Sequence, residues 1–224
     1  MCVEMGISIG HNARMIFEDN ESYTQLAISL EQVIVVQGEE FCDEYGDNYV
    51  RRLAGPIRLE YAESEQEVEI GEIELFFIDG TRALDNGLDI VNVCDSMGQD
   101  QYDYAAAVYS DGVLDSEIVA DSIFNDVLAL HTISILPQYR GHQHGLLATR
   151  KIIETLGSHC GAVVLKPAPQ QFSGQAEDQA WIDRMGMAAF ENDLQAATKR
   201  LTDYWRALDL CPTKDPSIFC ITQF

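Results

Sequence analysis

The feature that most constrains this chain is a strand, a loop and a helix that follow one another without a linker. The segment runs from His131 to Gly157 and reads HTISILPQYRGHQHGLLATRKIIETLG. Pro137 has no N–H to donate to a sheet ladder, so the β-branched run before it must end there. The loop leads directly into GLLATRKIIETL, in which apolar residues recur at helical spacing. We therefore predict a strand that ends beside the N-terminus of a helix.

The elements around this segment predict an α/β order. GAVVLKP follows the helix as a second apolar strand, and strand–helix–strand order favours a right-handed crossover with parallel or near-parallel pairing. Upstream, IRLEYAE and EVEIGEIELFFID have β character and predict a hairpin, the second strand ending at Asp79-Gly80. After a Gln-rich stretch, we expect a helix over roughly Glu191 to Leu208 and a last strand in SIFCITQF.

The first half of the chain is less clearly patterned. We expect a helical N-terminal region over residues 1–56, with SYTQLAISLEQ as a helix and VIVV as a short strand or the continuation of that helix. Residues 88–126 read as a helical insertion that includes an acidic loop. No internal repeat or linker divides the sequence, so we predict a single domain over residues 1–224.

Composition narrows the class of protein. A chain of 224 residues with 46% hydrophobic content is long enough to bury a full core. We see no apolar run of membrane-spanning length and no basic segment followed by an apolar one at the start, so we expect a soluble, cytoplasmic protein without a membrane partner. The six cysteines form no CxxC pair, which favours reduced thiols over disulfides or a zinc knuckle.

Charge is the strongest compositional signal. Fourteen basic against 37 acidic residues give a net charge of −23, which opposes binding to nucleic acid. The acidity serves solubility or adaptation to salt, or else it attracts a cationic substrate, and the composition leaves both readings open. Residues 127–170 differ from the rest, because they carry four basic side chains and one acidic one. A local positive balance in so acidic a chain indicates a bound anion.

The loop has the chemistry of an anion site. Helix N-termini present unpaired N–H groups and a favourable dipole. Gly141 and Gly145 let the backbone approach a ligand, and Arg140 offers a charge-assisted contact to a phosphate oxygen. A metal site at His142 and His144 is disfavoured because side chains two residues apart diverge on a helix, and the neighbouring cations repel a metal. We expect no bound metal here.

At this point the segment resembles the GNAT superfamily of N-acetyltransferases. Its acetyl-CoA signature is a strand, a Pro and then Arg/Gln-x-x-Gly-x-Gly/Ala at a helix start, matched here by Arg140-Gly141-His142-Gln143-His144-Gly145 after Pro137. The resemblance covers roughly the last hundred residues. It departs from the signature at Gln143, where the family has Gly, and at Leu208-Asp209-Leu210, where the family has Leu-Gly-Phe.

The resemblance implies a mixed, mostly antiparallel central sheet flanked by helices, with residues 127–224 as the acetyl-CoA-binding half. Acetyl-CoA would serve as co-substrate. Its pantothenate arm would lie along the signature strand and bond to the backbone of Ile133 and Ile135. Its pyrophosphate would bind the N–H groups of Arg140, Gly141, His142, Gln143, His144 and Gly145. For Gln143 we expect a negative φ, which would let the side chain turn outward at little cost.

The implied reaction is direct transfer of an acetyl group to a primary amine. Tyr204 is the candidate acid for the leaving thiolate, although the family's alignment places Trp205 at that position, and a core-packing role stays open. His131 is a candidate base or a satisfied buried histidine. Cys160 reads as a small core residue.

The acceptor amine is not identified by the sequence. The acidic surface would favour a cationic acceptor, such as a polyamine, an amino sugar or a lysine-bearing protein. The alternative function is a non-catalytic acyl-CoA-binding or regulatory protein of the same fold. A homodimer is left open.

Overall fold

The computed structural model describes residues 13–19, 22–32, 49–61, 66–119, 122–173 and 178–221. The strands are β1 (Ala13–Asp19), β2 (Ser22–Ile28), β3 (Val50–Tyr61), β4 (Gln66–Ile78), β5 (Tyr109–Ser110), β6 (Val113–Leu114), β7 (Val127–Ile135), β8 (Ala162–Leu165), β9 (Cys211–Pro212) and β10 (Phe219–Ile221). The helices are α1 (Gly80–Asp85), α2 (Ile90–Met97), α3 (Gln99–Val108), α4 (His144–Leu156), α5 (Gln179–Arg184) and α6 (Leu194–Trp205).

Eight strands form one sheet in the order β1-β2-β3-β4-β7-β8-β10-β9. Neighbouring strands are antiparallel except β7 and β8, which pair in parallel and are joined by the crossover helix α4. Strands β5 and β6 form a separate two-stranded ladder. The protein is thus a mixed α/β fold with a mostly antiparallel sheet flanked by helices, which confirms the predicted architecture at this level.

Both faces of the central strands are covered, and this explains their continuous apolar sequences. Along β7, Leu128 and Leu130 pack into a cluster that contains Leu146 and Trp205 from α4 and α6. The alternate residues Val127 and Ala129 belong to a second cluster, which contains Ile90, Tyr104 and Val108 from α2 and α3. Because side chains alternate across a strand, the two clusters lie on opposite faces of the sheet.

Helices α1, α2 and α3 form an inserted lobe between β4 and β7. The two strands are direct neighbours, and Ile78 at the end of β4 pairs with Val127 at the start of β7. The Asp79 carboxylate accepts the N–H of Arg82 and so caps α1. Asp126, at the other end of the lobe, accepts the N–H of Thr81 in α1 at 2.9 Å. This bond joins the two ends of the inserted lobe to each other.

The prediction of a helical N-terminal region is wrong wherever the structure describes it. SYTQLAISLEQ forms β2, not a helix, and residues 13–19 and 50–56 are also strands. Apolar residues 26, 28 and 30 alternate as in a strand, while residues 26 and 30 also match helical spacing, so the local pattern fits both. Antiparallel pairing of β2 with β1 and β3 stabilises this segment as a strand. VIVV lies outside the described residues.

The remaining element predictions are confirmed. The β3–β4 hairpin, the β7–α4–β8 unit, the long helix α6 and the closing strand β10 all form close to their expected positions. The predicted insertion is helical in α2 and α3, but its helices begin earlier than residue 88, at Gly80, and it continues as the β5–β6 ladder. Among the described residues, no helix is both long enough and apolar enough to cross a membrane.

Candidate functional site

A groove opens where the parallel strands β7 and β8 separate. Their ladder ends at the pair Leu130 and Leu165, after which β8 runs into Lys166 and Pro167 while β7 continues for five more residues. The groove has a volume of about 550 Å³ and is bounded by β7, the loop before α4, the segment after β8, and one face of α6. It lies at the place that the sequence assigned to a ligand.

The edge of β7 that faces this groove has no strand partner beyond Leu130 among the described residues. The N–H of Leu136 donates to the Ile70 carbonyl on β4 at 2.8 Å. Because main-chain groups alternate in direction along a strand, those of Ile133 and Ile135 face the groove. Arg140 Nε confirms this direction for Ile135, since it donates to the Ile135 carbonyl at 2.7 Å. The predicted pair of residues is thus placed on the groove edge.

A β-bulge marks the inner end of the groove. On β4, the neighbours Glu74 and Leu75 pair with Thr132 and Leu130 of β7, so His131 is the extra residue. Bulges re-aim a side chain and interrupt pairing. Here the bulge coincides with the last paired residue of the β7–β8 ladder, and His131 lines the groove at its vertex.

The loop before α4 adopts a conformation that differs from the prediction for Gln143. Gln143 is the N-cap residue of α4 and has φ 60° and ψ 15°, in the left-handed region, so the expected negative φ is wrong. The signature's Gly at this position has a conformational reason, because Gly reaches this region without the steric cost of a Cβ. Gly141 also has a positive φ, of 86°. The loop therefore bends twice before the helix begins.

Arg140 is placed differently from the expectation of a free phosphate-binding side chain. Its Nε donates to the Ile135 carbonyl at 2.7 Å, and its Nη2 donates to the Met185 carbonyl at 2.6 Å. The guanidinium also lies 4.5 Å from the centre of the Phe190 ring. Burial lowers the pKa of Arg140. Among the described residues, no carboxylate pairs with Arg140, so no described carboxylate neutralises its charge.

The two loop histidines lie side by side. The ring centroids of His142 and His144 are 5.6 Å apart in a stacked arrangement. His144 Nδ1 lies 3.2 Å from the Tyr139 carbonyl oxygen. Burial lowers the pKa of His144, an effect that the Tyr139 carbonyl opposes and His142 reinforces. In the part of the chain that the structure describes, no group of three His, Cys, Asp or Glu side chains could hold a metal ion.

Tyr204 projects from α6 to the start of α4. Its hydroxyl would lie 3.1 Å from a Cβ built on Gly145, and it lies near the backbone N–H of Leu146. Burial raises the pKa of Tyr204, and the Leu146 N–H partly offsets that effect. Trp205, the next residue, is 9% exposed and packs in the core, whereas Tyr204 is 40% exposed. Both residues line the groove, and Tyr204 is the more accessible of the two.

The inserted lobe contributes two residues that the sequence analysis did not identify. Tyr104 Oη lies 3.3 Å from His131 Nδ1, and Asp100 Oδ2 lies 3.9 Å from His131 Nε2. Both come from α3, one helical turn apart. The pattern of α3 shows a half-buried helix but not which strand it faces, so only the tertiary fold reveals these contacts. His131 is therefore part of a cluster with Tyr104 and Asp100.

The segment after β8 forms the outer wall of the groove and is attached to the sheet at several points. Ser134 Oγ donates to Gln170 Oε1 at 2.6 Å. Farther along, Trp181 Nε1 and Arg184 Nη2 donate to the two carboxylate oxygens of Glu72 on β4, at 2.9 and 2.7 Å. These contacts carry the chain across the end of β7 and return it to α6.

Two further observations concern charge and reactivity near the groove. Arg200 on α6 lines the groove and has no carboxylate partner among the described residues. The neighbouring cation Lys199, by contrast, pairs with Asp203 at 2.8 Å. Cys160 is buried, and burial raises the pKa of its thiol to about 12, which fits the predicted core role and not that of a nucleophile.

Comparison with known proteins returned no match, whether to the profiles of known families, to curated proteins or to solved structures.

Proposed function

We propose that this protein is an acetyl-CoA-dependent N-acetyltransferase with a GNAT-type fold. The observation that carries the proposal is the groove between the separating parallel strands, which joins a β7 edge without a strand partner beyond Leu130 to a helix N-terminus. An unpaired edge accepts an extended chain with amide groups, and a helix N-terminus accepts an anion. A pantetheine arm that ends in a pyrophosphate has both features in the same order.

The anionic end of the cofactor would lie at the loop before α4. The N–H groups of Gly141 to Gly145 are the proposed donors, and the dipole of α4 adds to them. The Arg140 N–H, which the sequence analysis included, instead donates to the Pro137 carbonyl at 3.3 Å. Arg140 and Arg200 contribute positive charge that no described carboxylate neutralises. In a chain with net charge −23, two such arginines on one groove favour an anionic ligand.

The acyl end would lie at the bulge, beside His131. There the amine attacks the thioester carbonyl, and Tyr204 is the proposed donor of a proton to the leaving thiolate. The raised pKa of Tyr204 keeps the phenol protonated near neutral pH, as an acid must be before it reacts. Holding the two substrates together supplies most of the acceleration in this scheme.

The acceptor would be a primary amine. Acidic side chains from α3 lie beside His131 near the vertex of the groove, and Asp100 is the nearest of them. Opposite charge favours a cationic acceptor such as a polyamine, an amino sugar or a lysine side chain of a protein.

Two features favour the second candidate, a non-catalytic acyl-CoA-binding protein. Gln143 places a side chain where the signature has none, and Arg140 is bound to protein carbonyls. Each of these would have to be compatible with bound cofactor for the enzyme to work.

Binding and turnover separate these functions. If the protein binds CoA, ligand at about 100 times its dissociation constant should stabilise it by about 2.7 kcal/mol, or roughly 5–10 °C in melting temperature. Calorimetry that detects no heat at millimolar CoA would exclude both candidates. Acetyl transfer from acetyl-CoA to spermidine, glucosamine or a lysine peptide supports the enzyme. Tight CoA binding without transfer to a broad amine panel would favour the regulatory protein.

A further inference from the structure

His131 is the groove residue whose role its neighbours define most closely. Its ring lies between two residues of α3, with Tyr104 at Nδ1 and Asp100 on the side of Nε2. Phe76 of β4 packs against the ring, with centroids 4.9 Å apart. These contacts fix the plane of the imidazole and decide which ring nitrogen carries the proton.

The hydroxyl of Tyr104 requires an acceptor, because a buried donor without a partner is costly. Tyr104 is 1% exposed, and within the described residues its hydroxyl has His131 Nδ1 as its hydrogen-bond partner. Burial raises the pKa of Tyr104, with the Asp100 carboxylate adding to the effect, so the phenol keeps its proton and donates it. His131 Nδ1 therefore accepts, and the neutral ring carries its proton on Nε2.

We propose that α3 holds His131 as an Nε2–H donor to the carbonyl oxygen of a bound acyl thioester, with Tyr104 as the positioning residue. This inference rests on the proposed function and gives His131 a role different from the base expected from sequence. A neutral imidazole whose Nδ1 is engaged and whose Nε2 is protonated has no lone pair free for the proton of an amine. A fixed donor in that place stabilises the negative charge that develops on the oxygen.

The charged groups around His131 are compatible with this role. On the α3 side, Lys166 Nζ lies 2.8 Å from Asp103 and 3.9 Å from Asp100. On the β4 side, Arg52 from β3 contacts the Glu74 carboxylate at 2.6 Å. The cations reduce the carboxylate field that would oppose an oxyanion. Asp100 lies 3.9 Å from Nε2, beyond hydrogen-bond distance, so the Nε2–H remains available.

The reaction balances with His131 unchanged. The ammonium form of the acceptor first releases a proton to water, and its nitrogen then bonds to the carbonyl carbon. The C=O electron pair moves to the oxygen, which accepts a hydrogen bond from His131 Nε2–H. The intermediate releases a second nitrogen proton to water. The oxygen electron pair then re-forms the C=O bond of the amide as the C–S bond breaks and its electrons leave on the sulfur. The thiolate takes a proton from Tyr204, which regains one from water.

The ring assignment is tested without any substrate. Long-range ¹H–¹⁵N spectra of the protein labelled in histidine report the tautomer, and His131→Gln identifies the resonances. In the neutral ring of His131, the Nε2–H tautomer should outnumber the Nδ1–H tautomer by on the order of tenfold or more. Tyr104→Phe should reduce that ratio. A neutral ring with its proton on Nδ1 would overturn the proposal.

The donor role is tested with bound [1-¹³C]acetyl-CoA in the absence of an amine. The carbonyl stretch should move to lower frequency on binding to the wild type, and His131→Phe should abolish this shift. His131→Gln should retain it, because the glutamine amide places an N–H near the position of Nε2. His159→Gln, at an exposed histidine remote from the groove, is the control. If the carbonyl stretch shifts in His131→Phe as far as it does in the wild type, the donor role is refuted.

Turnover distinguishes the donor from a base. With spermidine as the probe acceptor, or another amine that the wild type acetylates, His131→Gln should remain within about tenfold of wild type, whereas His131→Phe should fall by ~10²–10³. If His131→Gln and His131→Phe lose turnover to the same extent, His131 acts as the base and not as a donor. If the wild type does not bind acetyl-CoA, the proposed function and the donor role fail together, while the tautomer still decides the assignment of Tyr104.

Discussion

Replacing Arg140 with alanine should destabilise the fold by an amount that its contacts allow to be worked out. The guanidinium donates to the Ile135 and Met185 carbonyls and lies against Phe190. A hydrogen bond from a charged group contributes about 1.5–3 kcal/mol, and we use the lower end because Arg140 is only partly buried. The contact with Phe190 adds ~0.5 kcal/mol. Arg140→Ala should therefore lose roughly 3.5 kcal/mol of unfolding free energy, or about 10 °C in melting temperature.

Urea denaturation of three variants tests this reasoning. Arg140→Lys keeps the charge but reaches at most one of the two carbonyls, so its loss should be about half as large. Arg206→Ala is the matched control, because its pair with Asp203 lies on the surface, and it should unfold with the wild type. If Arg140→Ala unfolds within ~0.5 kcal/mol of the wild type, these carbonyl contacts do not hold the groove wall. CoA affinity, measured well below the melting temperature, should also fall, and more at low salt than at high salt.

Three other substitutions address the loop, the acid and the groove wall, and a fourth addresses pH. Gln143→Gly should raise the free energy of unfolding by about 1 kcal/mol, because Gly removes the cost of a Cβ at φ 60°. Gln143→Ala keeps the Cβ and should not raise it. The CoA affinity of Gln143→Gly should change by less than about tenfold. Tyr204→Phe should lower turnover by ~10²–10⁴-fold with CoA affinity nearly unchanged, and unchanged turnover would return Tyr204 to a packing role. Glu72→Gln should speed amide exchange in α5, with Glu69→Gln as the milder control at a 3.7 Å contact; equal exchange in both would refute the anchoring role of Glu72. Because burial lowers the pKa of His144, the wild type should lose stability relative to His144→Gln as pH falls below about 6.5, and parallel curves would refute that sign.

The second half of the fold could be predicted because its signals are local. Pro137 ends a β-branched run, and the helical spacing of Leu146 to Leu156 is unambiguous. The full burial of residues 127–130 in β7 and of β8 also follows from their uninterrupted apolar sequences. In β2 the local pattern was ambiguous, because Leu26, Ile28 and Leu30 alternate as in a strand while Leu26 and Leu30 also match helical spacing. The partners of β2 lie elsewhere in the chain, and local spacing does not report them.

Only the part of the candidate site formed by β7 and the loop before α4 was predictable from the sequence. The loop residues and the groove edge of β7 are contiguous in sequence, so their positions follow from one motif. Tyr104 and Asp100 reach His131 across a separation of about thirty residues, and Glu72 reaches Trp181 across more than a hundred. The conformation of Gln143 was missed because residue type alone favours negative φ, whereas the turn of the loop imposes a positive one.

The placement of the inserted lobe has a consequence for how the chain folds. Ile78 and Val127 are paired neighbours, so a short turn would be enough to join β4 to β7. Residues 79–126 instead close a loop roughly ten times longer, which raises the entropic cost of this pairing by about 2 kcal/mol. Non-local pairings of this kind form slowly, so the central sheet should assemble only after the lobe has become compact enough to shorten the effective loop. The lobe that contacts His131 would then also set the folding rate of the whole sheet.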